Sequence, residues 1–179
     1  MTKSQTLEKE KEGTSQSKNM VFIDCIQITP ERKAIISYKS SNDEVAQTVT
    51  YSGKEEVTDE FFKSFQKNKE TFVRIVKPLA ADIKNLDMNK IHFTYAKDND
   101  YLSNILYSAK YKFNDTNNQV INISTPKIPI YQSDFSDNVF CVSGECVEWL
   151  HETIALAKKY MKGDTRTKQM KLVVDNTNA

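Results

Sequence analysis

The strongest periodic signal in the sequence is an amphipathic segment that runs from Ser143 to Gly163. Its apolar residues recur at intervals of three and four, the spacing that gathers side chains on one side of a helix. They include Cys146, Leu150, Ile154, Ala157 and Met161. Ser143 is the predicted N-cap, and Gly163 is the predicted residue that follows the C-cap. A helix with one apolar side needs an apolar surface to cover, so the rest of the chain must supply one.

Short segments with strand-like alternation fill most of the remaining chain. In chain order they cover residues 20–28, 33–40, 44–51, 90–96, 101–113 and 119–124. A second amphipathic helix is predicted over Asp59 to Val76, with Thr58 as its N-cap and Pro78 just beyond its end. Asn68 in the middle leaves two shorter helices open as an alternative.

The order of these elements is β-β-β-α, twice. We therefore predict an α+β fold in which two β-β-β-α halves form an antiparallel sheet of about six strands, covered on one face by two helices. The first strand has apolar residues on both faces, which is typical of a central strand. The predicted single domain covers residues 20–163, between a disordered segment, 1–19, that is almost free of apolar residues and a basic flexible tail, 164–179.

Composition restricts the function classes. The formal net charge of +1 excludes a DNA mimic and a uniformly basic nucleic-acid binder. Three cysteines, an odd number, without a secretory apolar core near the N-terminus predict reduced thiols in a cytoplasmic protein. No apolar run reaches the length of about 20 residues that spans a bilayer, so no membrane partner is expected.

Residues of catalytic or metal-binding type do not form a recognisable pattern. His92, His151, Cys25, Cys141 and Cys146 lack the spacing of a zinc site. The four glycines include no closely spaced set that would cradle a phosphate. Cys146, near a helix start, is the one candidate nucleophile, but the sequence offers no base for it. We predict no catalytic residue, no cofactor and no metal, and hence a protein that is not an enzyme.

The C-terminal tail is the first candidate binding site. Between residues 158 and 171 there are six basic residues and one acid. The residues predicted to contact a partner are Arg166, Lys168, Gln169, Met170, Lys171, Leu172 and Val173. The run from Gln169 to Val173 resembles the short motif with which bacterial replication proteins dock on the sliding clamp, although Val173 stands where that motif prefers an aromatic residue. A solvated tail, or a terminal strand from Lys171 to Val174 added to a sheet edge, is the alternative.

A second candidate site lies on the predicted strand 101–113. If its tyrosines line an open face beside the lysines, they can stack on single-stranded bases while the lysines contact phosphates. The residues of this possible nucleic-acid face are Tyr107, Lys110, Tyr111 and Lys112. In the alternative the tyrosines lie under the helices and belong to the core.

Taken together, the chain resembles a group of uncharacterised small α+β proteins carried by phages and prophages of gut-type bacteria. The resemblance rests on the opening strand Val21 to Ile28, the helix start Asp59 to Phe61, and the segments Glu145 to Glu148 and Lys159 to Gly163. It implies a host bacterial cytoplasm and a setting near single-strand annealing and single-strand-binding functions, and no catalytic site.

Three functions remain as hypotheses. The first is a non-catalytic phage accessory protein of DNA replication or recombination that acts through protein contacts, with a sliding clamp or recombination protein as partner. The second is an anti-defence inhibitor that binds a host nuclease or effector. The third is a single-stranded nucleic-acid-binding protein.

Overall fold

A computed structural model describes residues 21–42, 45–76, 85–96, 101–113, 119–130, 142 and 144–166. They form seven strands and two helices. The elements in chain order are β1 (Val21–Ile28), β2 (Ala34–Asn42), β3 (Val45–Ser52), α1 (Asp59–Val76), β4 (Leu86–Tyr95), β5 (Leu102–Lys112), β6 (Val120–Ser124), β7 (Ile128–Pro129) and α2 (Glu145–Met161).

All strands belong to one antiparallel sheet with the order β3-β2-β1-β4-β5-β6, and the short β7 pairs with β5 beyond the end of β6. The predicted α+β class is confirmed. Strand β1, predicted to be central, lies between β2 and β4. The first three strands form one meander and the next three form a second, and the pairing of β1 with β4 joins the two.

One face of the sheet carries the core. Cross-strand neighbours form an apolar row through five strands, from β3 to β5: Tyr51, Ile36, Ile26, Ile91 and Tyr107. At one end the Tyr51 ring lies 6.0 Å from the ring of Tyr160 in α2, and at the other the Tyr107 ring lies 6.1 Å from that of Phe72 in α1. Both helices therefore cover this same face, as predicted.

The two helices pack against each other through a small buried polar cluster. The hydroxyls of Ser64 and Thr153 are 2.9 Å apart, and the Asn68 side-chain amide donates to Thr153 Oγ1 at 3.0 Å and to the Ser64 carbonyl at 3.0 Å. Asn68 is fully buried. Because of Asn68, two short helices were an alternative to one. The structure has a single α1 of 18 residues, and the Asn68 amide joins it to α2.

The two helix starts differ. Thr58 caps α1, since its Oγ1 accepts a hydrogen bond from the backbone N–H of Phe61 at 3.1 Å. The prediction of Ser143 as the N-cap of α2 is wrong: the cap is Gly144, with φ 55° and no side-chain cap, and Ser143 lies outside the described residues. Glycine reaches that φ at little cost, so here backbone conformation rather than a side chain sets the helix start.

The end of α2 follows the prediction. Gly163 has φ 91°, and its N–H donates to the carbonyl of Tyr160 at 2.9 Å. The next N–H, from Asp164, reaches the Lys159 carbonyl at 3.2 Å. This pair of bonds is a Schellman motif, which requires a left-handed residue at the position that Gly163 occupies.

Two strand boundaries differ from the sequence prediction. Strand β4 begins at Leu86, before the predicted strand 90–96. The register shifts between Met88 and Lys90, and this bulge breaks the two-residue alternation by which a strand is recognised. Strand β7 has two residues and lies outside the predicted strands, because so short an element shows no periodicity.

Some predictions fall outside the described residues. They concern the disordered segment 1–19, the tail from residue 167 onward, and Cys141. Within the described ranges, neither helix is long and apolar enough to cross a membrane.

Leu150 provides a test of the core. It belongs to α2, and its side chain is fully buried, with 0% exposure. We expect Leu150→Asp to lower the free energy of unfolding by about 4 kcal/mol or more, because it buries an unpaired charge. Thermal unfolding followed by circular dichroism measures this. The matched control is His151→Asp at the adjacent exposed position, which should melt near the unsubstituted protein. Equal melting temperatures of the two variants would contradict the burial of Leu150 and the packing of α2 on the core.

Gly53 provides a second test, because the ring of Tyr160 lies against its backbone. A Cβ at residue 53 would stand 2.0 Å from the Tyr160 hydroxyl oxygen and 2.5 Å from the ring. That hydroxyl also donates to the Glu55 carbonyl, so the ring cannot move without losing the bond. We expect Gly53→Ala to cost about 1–3 kcal/mol by overpacking, measured by urea unfolding. Ser52→Ala, at the exposed neighbour, should change stability far less; a fully stable Gly53→Ala would contradict the contact.

Candidate functional site

The face of the sheet opposite the helices is a mixed polar surface. One row of cross-strand neighbours on it contains Thr50, Ser37, Cys25, His92 and Leu106. The next contains Ser52, Ile35, Gln27, Lys90, Ser108 and Ser124. Antiparallel sheets commonly leave one such face to solvent. We call this surface the open face.

Hydroxyl pairs tie neighbouring strands on the open face. The hydroxyls of Ser37 and Thr50 are 3.2 Å apart between β2 and β3, and those of Ser108 and Ser124 are 2.9 Å apart between β5 and β6. These contacts fix the outer strands of both meanders without apolar side chains. The open face therefore keeps its shape while staying polar.

Charge is distributed unevenly over the open face. In the first meander, Lys39 Nζ lies 3.4 Å from the Asp24 carboxylate, so that the charge is neutralised locally. In the second meander, strands β4 to β6 carry three lysines, Lys90, Lys110 and Lys112, against one acidic residue, Asp87. No ion pair in the described part of the chain holds any of the three lysines. We call these three residues the lysine face.

Cys25 and His92 are cross-strand neighbours at the centre of the open face. Burial raises the pKa of the Cys25 thiol to about 11, which keeps it protonated at neutral pH. Burial, and then the charge of Lys90, lowers the pKa of His92 below its ordinary value of 6.5. A cysteine nucleophile needs a thiolate, usually beside an imidazolium, and both shifts oppose that state. The pair is therefore poorly suited to nucleophilic catalysis.

The residues of the predicted nucleic-acid face are divided between the two sides of the sheet. Tyr107 has 0% exposure and faces α1, and Tyr111 packs partly buried on the same side. Lys110 and Lys112 alternate with them and are exposed on the open face. The combined tyrosine and lysine face is therefore wrong, because the helices cover the side to which the tyrosines point.

Of the predicted tail contacts, the structure describes Arg166. Its guanidinium lies 2.8 Å from the Glu56 carboxylate, and its backbone N–H donates to the Glu56 carbonyl at 3.1 Å. Thr165 beside it is buried. The chain after α2 thus folds back onto the segment that precedes α1. The other six predicted tail residues, Lys168 and 169–173, lie outside the described residues.

Arg32 lies in the turn between β1 and β2, and no motif in the sequence marks it. It has φ 57°, a conformation that costs a side chain about 1 kcal/mol. Its guanidinium lies 4.4 Å from the centre of the Phe62 ring and bonds the Asp59 carboxylate at 2.7 Å. This bond holds the pKa of Asp59 below its usual range. Arg32 therefore fastens the β1–β2 turn to the start of α1.

A cleft of about 260 Å³ opens beside Arg32. Its walls come from the β1–β2 turn, α1, the start of β4 and the end of β5, and they include Pro30, Phe62, Met88 and Lys110. Asp59 engages the Arg32 guanidinium, whereas Asp87 and Lys110 are cross-strand neighbours without an ion pair between them. Six of the ten lining residues are polar or charged: Thr29, Arg32, Gln66, Asp87, Asn89 and Lys110.

The described residues contain no group of three or more histidine, cysteine, aspartate or glutamate side chains that could hold a metal ion. No family model, no curated protein and no solved structure matches the chain.

The lowered pKa of His92 predicts that the stability of the fold depends on pH. Because its pKa is lowered in the folded state, the unfolded chain binds the proton more tightly. The stabilising contribution of neutral His92 is thus present above pH 6.5 and is lost as the pH falls through the folded pKa. An NMR titration of the His92 ring should give a midpoint below 6.5, and Lys90→Gln should raise that midpoint. A midpoint at or above 6.5 in the unsubstituted protein would contradict the burial of the ring.

Proposed function

We propose that the chain is a non-catalytic binding protein that recognises an acidic surface of a protein partner through the lysine face. The observation that carries this proposal is the charge of β4 to β6. Lys90, Lys110 and Lys112 lie on the face that neither described helix covers, with Asp87 as the acidic residue among them. Unpaired lysines on a rigid sheet steer an oppositely charged partner and fix its orientation.

The shape of the open face supports a protein partner. The sheet gives a surface of six neighbouring strands, and the half-buried Leu106 lies next to His92 among the hydroxyl groups. An apolar centre with a polar and charged surround is the usual arrangement of a protein interface.

A single-stranded nucleic acid fits this surface less well. Binding without sequence preference relies on aromatic side chains on which bases stack. The aromatic residues of β5, Tyr107 and Tyr111, face the helices instead. Without an aromatic platform on β5, the lysines of this strand offer only salt-sensitive phosphate contacts.

The cellular setting of the partner rests on the resemblance of the sequence to phage and prophage proteins. On that resemblance we propose a partner in DNA replication or recombination, either a sliding clamp or a recombination protein. A host defence protein is the alternative partner. Identifying the partner by cross-linking distinguishes these settings.

Photo-crosslinking in the host cell tests the proposal. A benzoylphenylalanine at position 110 should cross-link to one acidic protein. The same group at position 67, on the exposed side of α1, should not. The double variant Lys110→Glu/Lys112→Glu should weaken binding of the identified partner at least tenfold, a loss of about 1.4 kcal/mol, because it replaces attraction by repulsion.

The matched control is Lys54→Glu/Lys63→Glu, the same charge change at two exposed lysines near the start of α1 that no ion pair among the described residues holds. It should leave partner binding within about twofold. Equal losses of affinity in both double variants would show that only the net charge matters. That result would overturn the lysine face as the binding site. A cross-linked product that a nuclease destroys would favour the single-stranded nucleic-acid alternative instead.

A further inference from the structure

Strand β6 forms one outer edge of the sheet, and its hydrogen-bond register is fixed at both ends. The Phe113 N–H donates to the Gln119 carbonyl at 3.0 Å, and the Thr125 N–H donates to the Tyr107 carbonyl at 3.0 Å. In an antiparallel pair, bonded and non-bonded positions alternate. Ile121 and Ile123 therefore direct their backbone groups toward β5.

The backbone groups of the alternate residues point the other way. Val120, Asn122 and Ser124 direct their N–H and C=O groups away from β5, and no strand among the described residues pairs with that side of β6. These groups form a template for one more antiparallel strand.

The side chains at this edge are unusually apolar for an exposed strand. Val120 is 48% exposed, Ile121 is 45% exposed and Phe113, just before the β5–β6 connection, is 39% exposed. Protein edges that stay free are usually protected by charged residues, proline or a bulge. The sequence of β6, Val-Ile-Asn-Ile-Ser, contains no charge and no proline, and its register with β5 is regular. On the opposite edge, among the side chains of β3 that the structure describes (residues 48–52), Val49 is the exposed large apolar one, at 37%.

We propose that two copies of this chain pair through β6, antiparallel, with a two-fold axis at Asn122. The axis places Asn122 opposite its own copy, and Val120 opposite Ser124 of the second copy. Because these residues carry the outward-facing backbone groups, the pairing forms six backbone hydrogen bonds. An axis at Ile121 or Ile123 would align fewer of those groups.

The same axis matches the apolar side chains. Ile121 lies opposite Ile123 of the second copy at a non-hydrogen-bonded position, where side chains approach most closely. Four isoleucines then meet on the helix-covered side of the joined sheet, next to Phe113 of each copy. The order of apolar and polar residues in β6 is nearly the same in both chain directions. A self-complementary interface requires this symmetry.

Charge favours a second copy as the occupant over a foreign strand. Strand β6 is neutral, so two copies bring no repulsion along the new ladder. The nearest lysines, Lys110 and Lys112, lie on the neighbouring strand and on the open face. They stand about three strand spacings, or roughly 14 Å, from their counterparts, beyond the screening distance at physiological salt. The inference does not depend on the proposed partner binding.

Sedimentation equilibrium of the full chain, without any partner, tests the inference. We expect a monomer–dimer equilibrium that is populated at about 100 μM or below. Ile121→Lys should weaken self-association at least a hundredfold, because it puts a lysine at the apolar contact of each copy. Val49→Lys, the same change at the opposite edge, should leave the dimer intact. Circular dichroism shows whether each variant keeps its fold.

The register has a test of its own. A mixture of Ile121→Cys and Ile123→Cys chains should form a disulfide-linked heterodimer under mild oxidation, because the two positions face each other. Each variant alone should give far less linked product. A chain that stays monomeric at about 100 μM overturns the inference. Loss of self-association in Val49→Lys would overturn β6 as the pairing edge. Equal disulfide formation by either cysteine variant alone would overturn the register.

Discussion

The pairing of β1 with β4 is the contact on which the rest of the architecture depends. It aligns three residue pairs, Cys25–His92, Ile26–Ile91 and Gln27–Lys90, and within the described ranges it is the one ladder between the two meanders. The helices reinforce it by crossing the junction in opposite directions. Helix α1 begins beside Arg32 in the first half and reaches Tyr107 in the second. Helix α2 follows the second meander in sequence and ends against Tyr51 of the first. Each meander is therefore covered partly by the helix that follows the other meander in sequence.

Sequence reasoning succeeds where one residue marks a boundary by its own chemistry. Thr58 accepts a hydrogen bond from the Phe61 N–H at the start of α1, and Gly163 supplies the left-handed residue after α2. It fails where the backbone alone decides. The bulge near Met88 hides the start of β4, and the conformation of Gly144 replaces the expected side-chain cap. Neither feature leaves a periodic trace in the sequence.

The candidate site was only half visible in the sequence, for a different reason. Alternation alone places Lys110 and Lys112 on the side of β5 opposite Tyr107, but it does not say which side the helices cover. That depends on the packing of α1 and α2, whose contacts join residues as distant as Ser64 and Thr153. Lys90 joins the lysine face only through the pairing of β4 with β5, which sets it opposite Ser108. A surface assembled by long-range pairing cannot be recovered from local spacing.

The ion pair between Arg166 and Glu56 fixes the position of the chain at residue 166. The Val57 N–H donates to the Arg32 carbonyl, so this ion pair lies beside the β1–β2 turn. Three to four strand spacings, roughly 14–19 Å, separate that turn from β6 across the sheet. In a dimer joined at β6, the two Arg166 residues stand roughly 40 Å apart across the joined sheet. Segments attached there would reach two separated targets at once, or two sites on one large ring-shaped or filamentous assembly, and bind them with the avidity of a two-armed molecule.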